Sequence, residues 1–260
     1  MILNNIPLKE FNTFGIQSIA KRFARFSSKK ELDEILAARN GDELLVLGGG
    51  SNILFTKDAD CLVIRNEVKG YEIVNEDNES VLIKSGAGEV WHEFVLNCIE
   101  HNFGGIENLS LIPGSVGASP MQNIGAYGIE IKDVFHSLEA YEINTGKIKS
   151  FSHSDCCFGY RESVFKRDLK GQYIILSVTF KLSKSHVLNS SYGAIESELK
   201  AKGITNPTIR DISNAVISIR SSKLPNPKEI GNAGSFFKNP VVNIDVLEAI
   251  QKNHDNVPNY

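Results

Sequence analysis

Apolar positions along the chain change period repeatedly between helical and strand-like spacing. In KKELDEILAAR, residues 29–39, Leu32, Ile35 and Leu36 recur at helical spacing, and Ser27 and Ser28 just before them suit an N-cap. The run ELLVL at 43–47 is too short for a helix and predicts a buried strand that enters a glycine turn. A second short strand follows at CLVIRN, so residues 20–66 are expected to form one β/α unit. Two β-like runs then flank the polar turn Asn75 to Ser80, the pattern of a hairpin. WHEFVLNCIEHN places Trp91, Val95, Cys98 and Ile99 on one helical face. Strands are expected at SLEAYEI and KIKSF around Asn144-Thr145-Gly146, and at the alternating YIILSVTFKL. Helices are expected at AIESELKAKG, closing on Gly203, and at DISNAVISIRSSK, stopping before Pro225 and Pro227. A last one is expected around Ile244 to Lys252.

Two stretches break this alternation. Gly48-Gly49-Gly50-Ser51-Asn52 follows the strand LLVL directly. Three glycines permit positive φ and leave no Cβ in front of a ligand, and successive free N–H groups can cup a pyrophosphate. Taken alone, the pattern reads equally as a tight turn. It is neither GxGxxG before a helix nor GxxxxGK[ST], so neither a Rossmann site nor a P-loop is supported. Residues 104–128 are rich in Gly, Pro, Ser and Asn, with little charge, yet carry Leu111, Ile112, Val116 and Met121. That composition predicts a buried, ordered loop whose backbone approaches a ligand, or else a packing loop. Two such loops favour an extended cofactor over a mononucleotide.

Charge and composition narrow the classes. The 260 residues carry a net charge of -3, with 42% apolar and 23% charged residues, ordinary for a globular protein. Nothing points to nucleic acid or an acidic membrane as partner, no apolar run approaches the ~20 residues of a bilayer span, and the N-terminus lacks a signal-like apolar core. A cytoplasmic protein is expected. Cys61, Cys98, Cys156 and Cys157 read as reduced thiols, and six scattered histidines offer no metal-ligand spacing.

Five segments together carry a specific resemblance. NTFGI at 12–16, GGGSN at 48–52, IPGSVGASPMQNIGAYG at 112–128, FGYRESVFK at 158–166 and GNAGSFFKNP at 231–240 occur in the order of the enolpyruvyl-glucosamine reductase family. The chain resembles that family over essentially its whole length, and the Tyr192 segment resembles the subtype with a tyrosine-bearing loop over the substrate. The resemblance implies an α+β protein with a two-subdomain FAD-binding fold of the PCMH/vanillyl-alcohol-oxidase type, followed by an α+β substrate domain. The expected units are 1–67 and 68–215, with the flavin-binding region about 15–183, and an incomplete third at 216–260. The implied function is NADPH-dependent reduction of UDP-N-acetylglucosamine enolpyruvate to UDP-N-acetylmuramate via FAD, in peptidoglycan precursor synthesis, by a monomer.

By the same resemblance, Gly48, Gly49, Gly50, Ser51 and Asn52 contact the pyrophosphate. Pro113, Gly114, Gly117, Ala118, Asn123, Gly125 and Ala126 approach the ribityl chain and the isoalloxazine, and Arg220 its pyrimidine end. Arg161 matches the arginine that polarises the substrate carboxylate, a task suited to a planar, permanently charged fork. Ser235 matches the proton donor, with Lys223 near it. Tyr127, Tyr192, Lys223 and Asn239 resemble contacts to the UDP-sugar. Family members continue past the position of Tyr260, and no residue matches their catalytic glutamate. The expectation is an unfinished substrate domain with apolar surface exposed; the alternative is a flavin-binding homologue with little catalysis. An oxidase on the same scaffold is disfavoured, because no His or Cys stands at the glycine loops to attach flavin covalently.

Overall fold

The computed structural model describes residues 1–235, 237–257 and 259. Two sheets organise the chain. The first contains β1 (Leu3–Pro7), β2 (Ile19–Phe26), β3 (Leu44–Leu47) and β4 (Ala59–Asn66), in the spatial order β1-β2-β4-β3. β4 runs parallel to both β2 and β3, while β1 pairs antiparallel with β2 at the edge. Helix α1 (Lys29–Ala37) crosses between β2 and β3, capped by Ser28, whose hydroxyl accepts from the Glu31 amide. Its buried Leu32 and Ile35 pack on Phe26, Leu62 and Ile64.

The second sheet is antiparallel throughout. The hairpin β5 (Tyr71–Glu76) and β6 (Ser80–Gly86) forms one side, and β9 (Phe135–Glu142), β10 (Ile148–Ser152) and β11 (Tyr173–Ser183) the other, in the order β10-β9-β11-β6-β5. Between them the chain makes α2 (Trp91–Glu100), a long loop, and the two-residue strands β7 (Gly125–Ala126) and β8 (Ile129–Glu130). The short α3 (His153–Cys156) follows β10. Helix α2 buries Trp91, Phe94, Val95, Cys98 and Ile99 against this sheet. Phe180 of β11 receives Trp91 and Phe94 at ring separations of 5.7 and 5.2 Å. Truncating Phe180 to alanine removes the side chain both rings pack on, and is expected to cost about 3–5 kcal/mol of stability, read by urea unfolding.

Polar contacts join the second sheet to the first sheet and its helix α1, one of them buried. The Asn66 amide, at the end of β4, donates to the Ile175 carbonyl at 2.8 Å, and the Tyr141 hydroxyl donates to Asp33 at 2.7 Å. Burial, and then that carboxylate, push the Tyr141 pKa up to about 12. A third unit pairs α4 (Gly193–Ala201) with α5 (Ile209–Lys223) through Ile195, Leu199, Ile212, Val216 and Ile219. Helix α5 runs without interruption across the 215/216 boundary expected from the sequence. The Ser110 and Ser213 hydroxyls, both buried and 2.8 Å apart, fasten it to the long loop.

After α5, the segment 224–243 and α6 (Ile244–Gln251) leave Val241, Ile244, Val246 and Ile250 exposed, and α6 buries no residue. Tyr260 lies outside the described residues. The four cysteines are free, and burial raises the Cys98 and Cys156 thiols to about 12, which makes both poor nucleophiles. Among the described residues no helix is long and apolar enough to cross a membrane.

Candidate active site

The five segments singled out in the sequence lie far apart along the chain and meet in space. The Thr13 amide donates to the Gly50 carbonyl at 3.1 Å, and the Thr13 carbonyl accepts from Asn232 at 2.9 Å. One residue therefore ties NTFGI to both GGGSN and the C-terminal GNAGS. Gly50 has φ of 64°, and a Cβ there would drive into the Phe11 carbonyl. Gly49 faces Gly114 so closely that a Cβ on it would come within 2.8 Å of the Gly114 Cα. The two glycine loops are thus packed backbone on backbone, which no other residue type permits at these positions. The Asn52 amide extends the contact to Gln122 at 3.1 Å.

The long loop is held from several sides. Gly117 lies against Ala87, where a Cβ would be 2.5 Å from that residue's methyl. Asn123, fully buried, donates to Glu130 and to the Gly159 carbonyl, both at 3.0 Å, and accepts from the Lys132 amide. Its side chain is therefore spent on shaping the loop. The Ser163 hydroxyl donates to the Met121 carbonyl at 2.6 Å. Arg161 sends its guanidinium onto the same loop, donating to the Gly125 carbonyl at 2.5 Å and the Asn123 carbonyl at 3.4 Å. Gly125 is small because a Cβ there would come within 2.9 Å of Arg161 Nη1. Leu111, Asn123, Tyr127 and Arg161 all adopt left-handed φ, between 46° and 57°. Such residues cost about 1–3 kcal/mol each and cluster where a ligand is bound.

Between the sheets, a cleft of about 260 Å³ opens over these loops, with Gly48, Gly49, Gly114 and Ser115 in its wall. Ser27, Arg65, Asn66, Glu67, Lys69, Gly88 and Val90 complete it. Ligand pockets usually measure roughly 300–1,000 Å³, so this one takes one end of an extended molecule. Its cations are partly neutralised, Lys69 by Glu89 and Arg65 by Glu67. Bare loop backbone of this kind is able to receive an anionic group such as a pyrophosphate.

Arg220, on α5, is a half-buried cation that no carboxylate of the described residues neutralises. It donates from Nε to the Leu111 carbonyl at 3.2 Å. Burial pushes its pKa below the ordinary guanidinium value, opposed by a hydrogen bond with the Tyr127 hydroxyl. Tyr127 in turn stands edge-on to Tyr192 at 5.4 Å, so the two tyrosines expected at the substrate are brought together. Lys223 ends α5 and is exposed, as are Ser235 and Asn239. Gly234, with φ of 70°, donates its amide to the Asn232 side chain in the turn before Ser235. Phe236 of this segment lies outside the described residues. Lys238 lies 5.3 Å from the Tyr160 ring, and Arg161 lies 5.4 Å from the same ring. The C-terminal segment therefore reaches the residue next to Arg161.

Several of these residues are absent from the sequence-based site. Arg65 and Lys69 look like ordinary charges after an apolar strand. Thr13 lies within NTFGI without any chemical signature of its own, and its buried hydroxyl has no partner among the described residues.

Comparison with known proteins matches this arrangement. Residues 20–152 match the model of an FAD binding domain. A UDP-N-acetylenolpyruvoylglucosamine reductase from Flavobacterium johnsoniae is 54% identical over 96% of this chain and 75% of its own length. The chain belongs to the UDP-N-acetylenolpyruvoylglucosamine reductase family. The enzyme of that name from Amoebophilus asiaticus is 51% identical over 98% of the chain and 76% of its own length. The chain thus spans about three quarters of these reductases. The crystal structure of the Thermus caldophilus reductase superposes with a TM-score of 0.68 over 92% of this chain and 76% of that one, at 22% identity, a likeness of fold. A 6-hydroxy-D-nicotine oxidase from Arthrobacter nicotinovorans shares the fold over 70% of this chain and 42% of its own, with a TM-score of 0.51 at 15% identity. The reductase family thus has the two-subdomain FAD-binding α+β architecture expected from the sequence.

Proposed function

We propose that this reductase converts UDP-N-acetylglucosamine enolpyruvate to UDP-N-acetylmuramate at the expense of NADPH, with Arg161 and Ser235 acting at the alkene. The observation that carries this reading is the convergence of the five segments through Thr13, Gly49–Gly114, Arg161–Gly125 and Lys238–Tyr160. Gly48 to Asn52 hold the pyrophosphate of FAD. Pro113, Gly114, Gly117, Ala118, Gly125 and Ala126 would hold its ribityl chain and ring against bare backbone, with Asn123 fixing that backbone's shape. The chemistry supplied by bound FAD would be two-electron hydride transfer, from NADPH and on to the terminal enolpyruvyl carbon.

The remaining work falls to the protein. Hydride addition leaves negative charge on the neighbouring carbon and its carboxylate. Arg161, which no carboxylate of the described residues neutralises, supplies the countercharge from its seat on the Gly125 carbonyl. The Ser235 hydroxyl then gives a proton to that carbon. Arg220, seated on the Leu111 carbonyl, would supply fixed positive charge to the pyrimidine end of a bound flavin. Tyr127 and Tyr192 form one wall for the sugar nucleotide. Lys223 and Asn239, both exposed, reach its diphosphate and sugar. Lys223→Ala is expected to raise the KM for the sugar nucleotide by about 10–100-fold, the worth of one hydrogen bond to a charged group. FAD affinity should be unchanged, and steady-state kinetics with a flavin titration checks both.

The functional units are 1–67 and 68–215 around the flavin and 216–260 toward the substrate, with α5 shared across the last boundary. All five segments belong to one chain, which supports action as a monomer. NADPH and nucleotide sugars as substrates support a place in the cytoplasm. NADPH oxidation by the FAD-loaded protein, strictly dependent on the enolpyruvyl substrate, tests the function. Oxidation that ignores this substrate and yields hydrogen peroxide would instead mark an oxidase.

A further inference from the structure

Leu111 opens the flavin loop in a left-handed conformation, φ of 57°, that a branched side chain does not choose by itself. Both polar groups of its peptide neighbourhood are held. Its carbonyl accepts from Arg220 Nε at 3.2 Å, and its amide donates to Nδ1 of His92 at 3.0 Å. His92 sits at the start of α2, half-buried, one residue after Trp91, whose own amide donates to the Gly114 carbonyl. The loop from Leu111 to Gly114 is therefore clamped at both ends by the first turn of α2.

We propose that His92 is a positioning residue that sets the flavin loop by accepting the Leu111 amide, and that protonation of His92 releases the loop and weakens FAD binding. An Nδ1 that accepts an N–H carries no proton, so the bond exists only with the neutral ring. A proton placed there sets two donors against each other and adds a cation near Arg220. Among the described residues the charged groups acting on His92 are Glu93 on its own helix, which favours protonation, and Arg220 on α5, which opposes it. Burial is the larger influence and holds its pKa below the ordinary histidine value. The neutral clamp is thus complete above about pH 6.5 and is lost as pH falls through the lower folded pKa. This inference rests on the reading of residues 111–118 as the seat of the flavin.

The test follows FAD release from the loaded protein by flavin fluorescence across the acid range, together with the Leu111 amide resonance in leucine-labelled protein. Wild type is expected to lose up to about tenfold in FAD affinity per pH unit below the His92 pKa. His92→Asn keeps an acceptor oxygen near the Nδ1 position with no proton to gain, so it should bind at wild-type strength and lose the acid limb. His92→Phe has no acceptor and should bind about 2–10-fold more weakly at every pH, without that limb. An acid limb that survives in His92→Asn, or a Leu111 amide indifferent to pH, overturns the role of His92. A Leu111 amide that titrates while FAD affinity stays flat leaves the clamp standing and refutes this loop as the flavin seat.

Discussion

Ser235→Ala is expected to bind FAD and to oxidise NADPH at the flavin as fast as wild type, while turnover of the enolpyruvyl substrate falls by about 10²–10⁴-fold. The asymmetry follows from position. Ser235 lies on the C-terminal segment and takes no part in the hydrogen bonds that bring the two glycine loops together. It is exposed, so removing its hydroxyl opens no core cavity. A serine is a weak acid, and its value depends on where the turn at Gly234 holds it. Rapid mixing separates the two halves: NADPH first, substrate second. A variant that turns over substrate normally removes Ser235 from the mechanism, and one that loses flavin shows its role to be structural.

Arg161→Lys should lose about 10²–10³-fold in kcat, the scale of one preorganised group facing developing charge. The positive charge survives this change, but the two-point grip does not, because an ammonium lacks the planar fork. In addition, Arg161 now holds the carbonyls of Asn123 and Gly125 together. A modest loss of FAD affinity should therefore accompany the loss of rate, unlike the case of Ser235. Kinetics and a flavin titration on the same preparation distinguish the roles. Unchanged kcat with weaker FAD would make Arg161 a loop clamp alone.

The sequence was most informative where one rule dominates. Helices α1, α2, α4, α5 and α6 stand where apolar spacing and caps put them, and Ser28 caps α1 as expected. The hairpin of β5 and β6 and the strands β9 to β11 follow the alternation of their residues. β1 and β2 were missed for physical reasons. β1 is a polar edge strand, LNNIP, with no residue buried, and β2 interrupts its apolar face with Lys21, Arg22 and Arg25. These basic residues are satisfied by partners distant in sequence, Lys21 by Asp60 and Arg22 by Asp42. The parallel pairing of β2 with β4 is likewise invisible locally.

For the site, glycine content marked both loops, and the five motifs together identified the family. Composition alone carried no sign that Gly49 and Gly114 touch, or that Thr13 joins three motifs. His92 had no signature either, since an isolated histidine beside a core tryptophan is commonly a packing residue. Its meaning came from the Leu111 amide it receives.

The most direct measurement is a crystal structure of this protein with FAD and the sugar-nucleotide substrate bound. The pyrophosphate is expected on residues 48–52, the flavin ring along 113–126, and Arg161 and Ser235 on either side of the substrate's enolpyruvyl group. A flavin bound away from the Gly49–Gly114 contact, or a Ser235 hydroxyl facing away from the alkene, would contradict that arrangement.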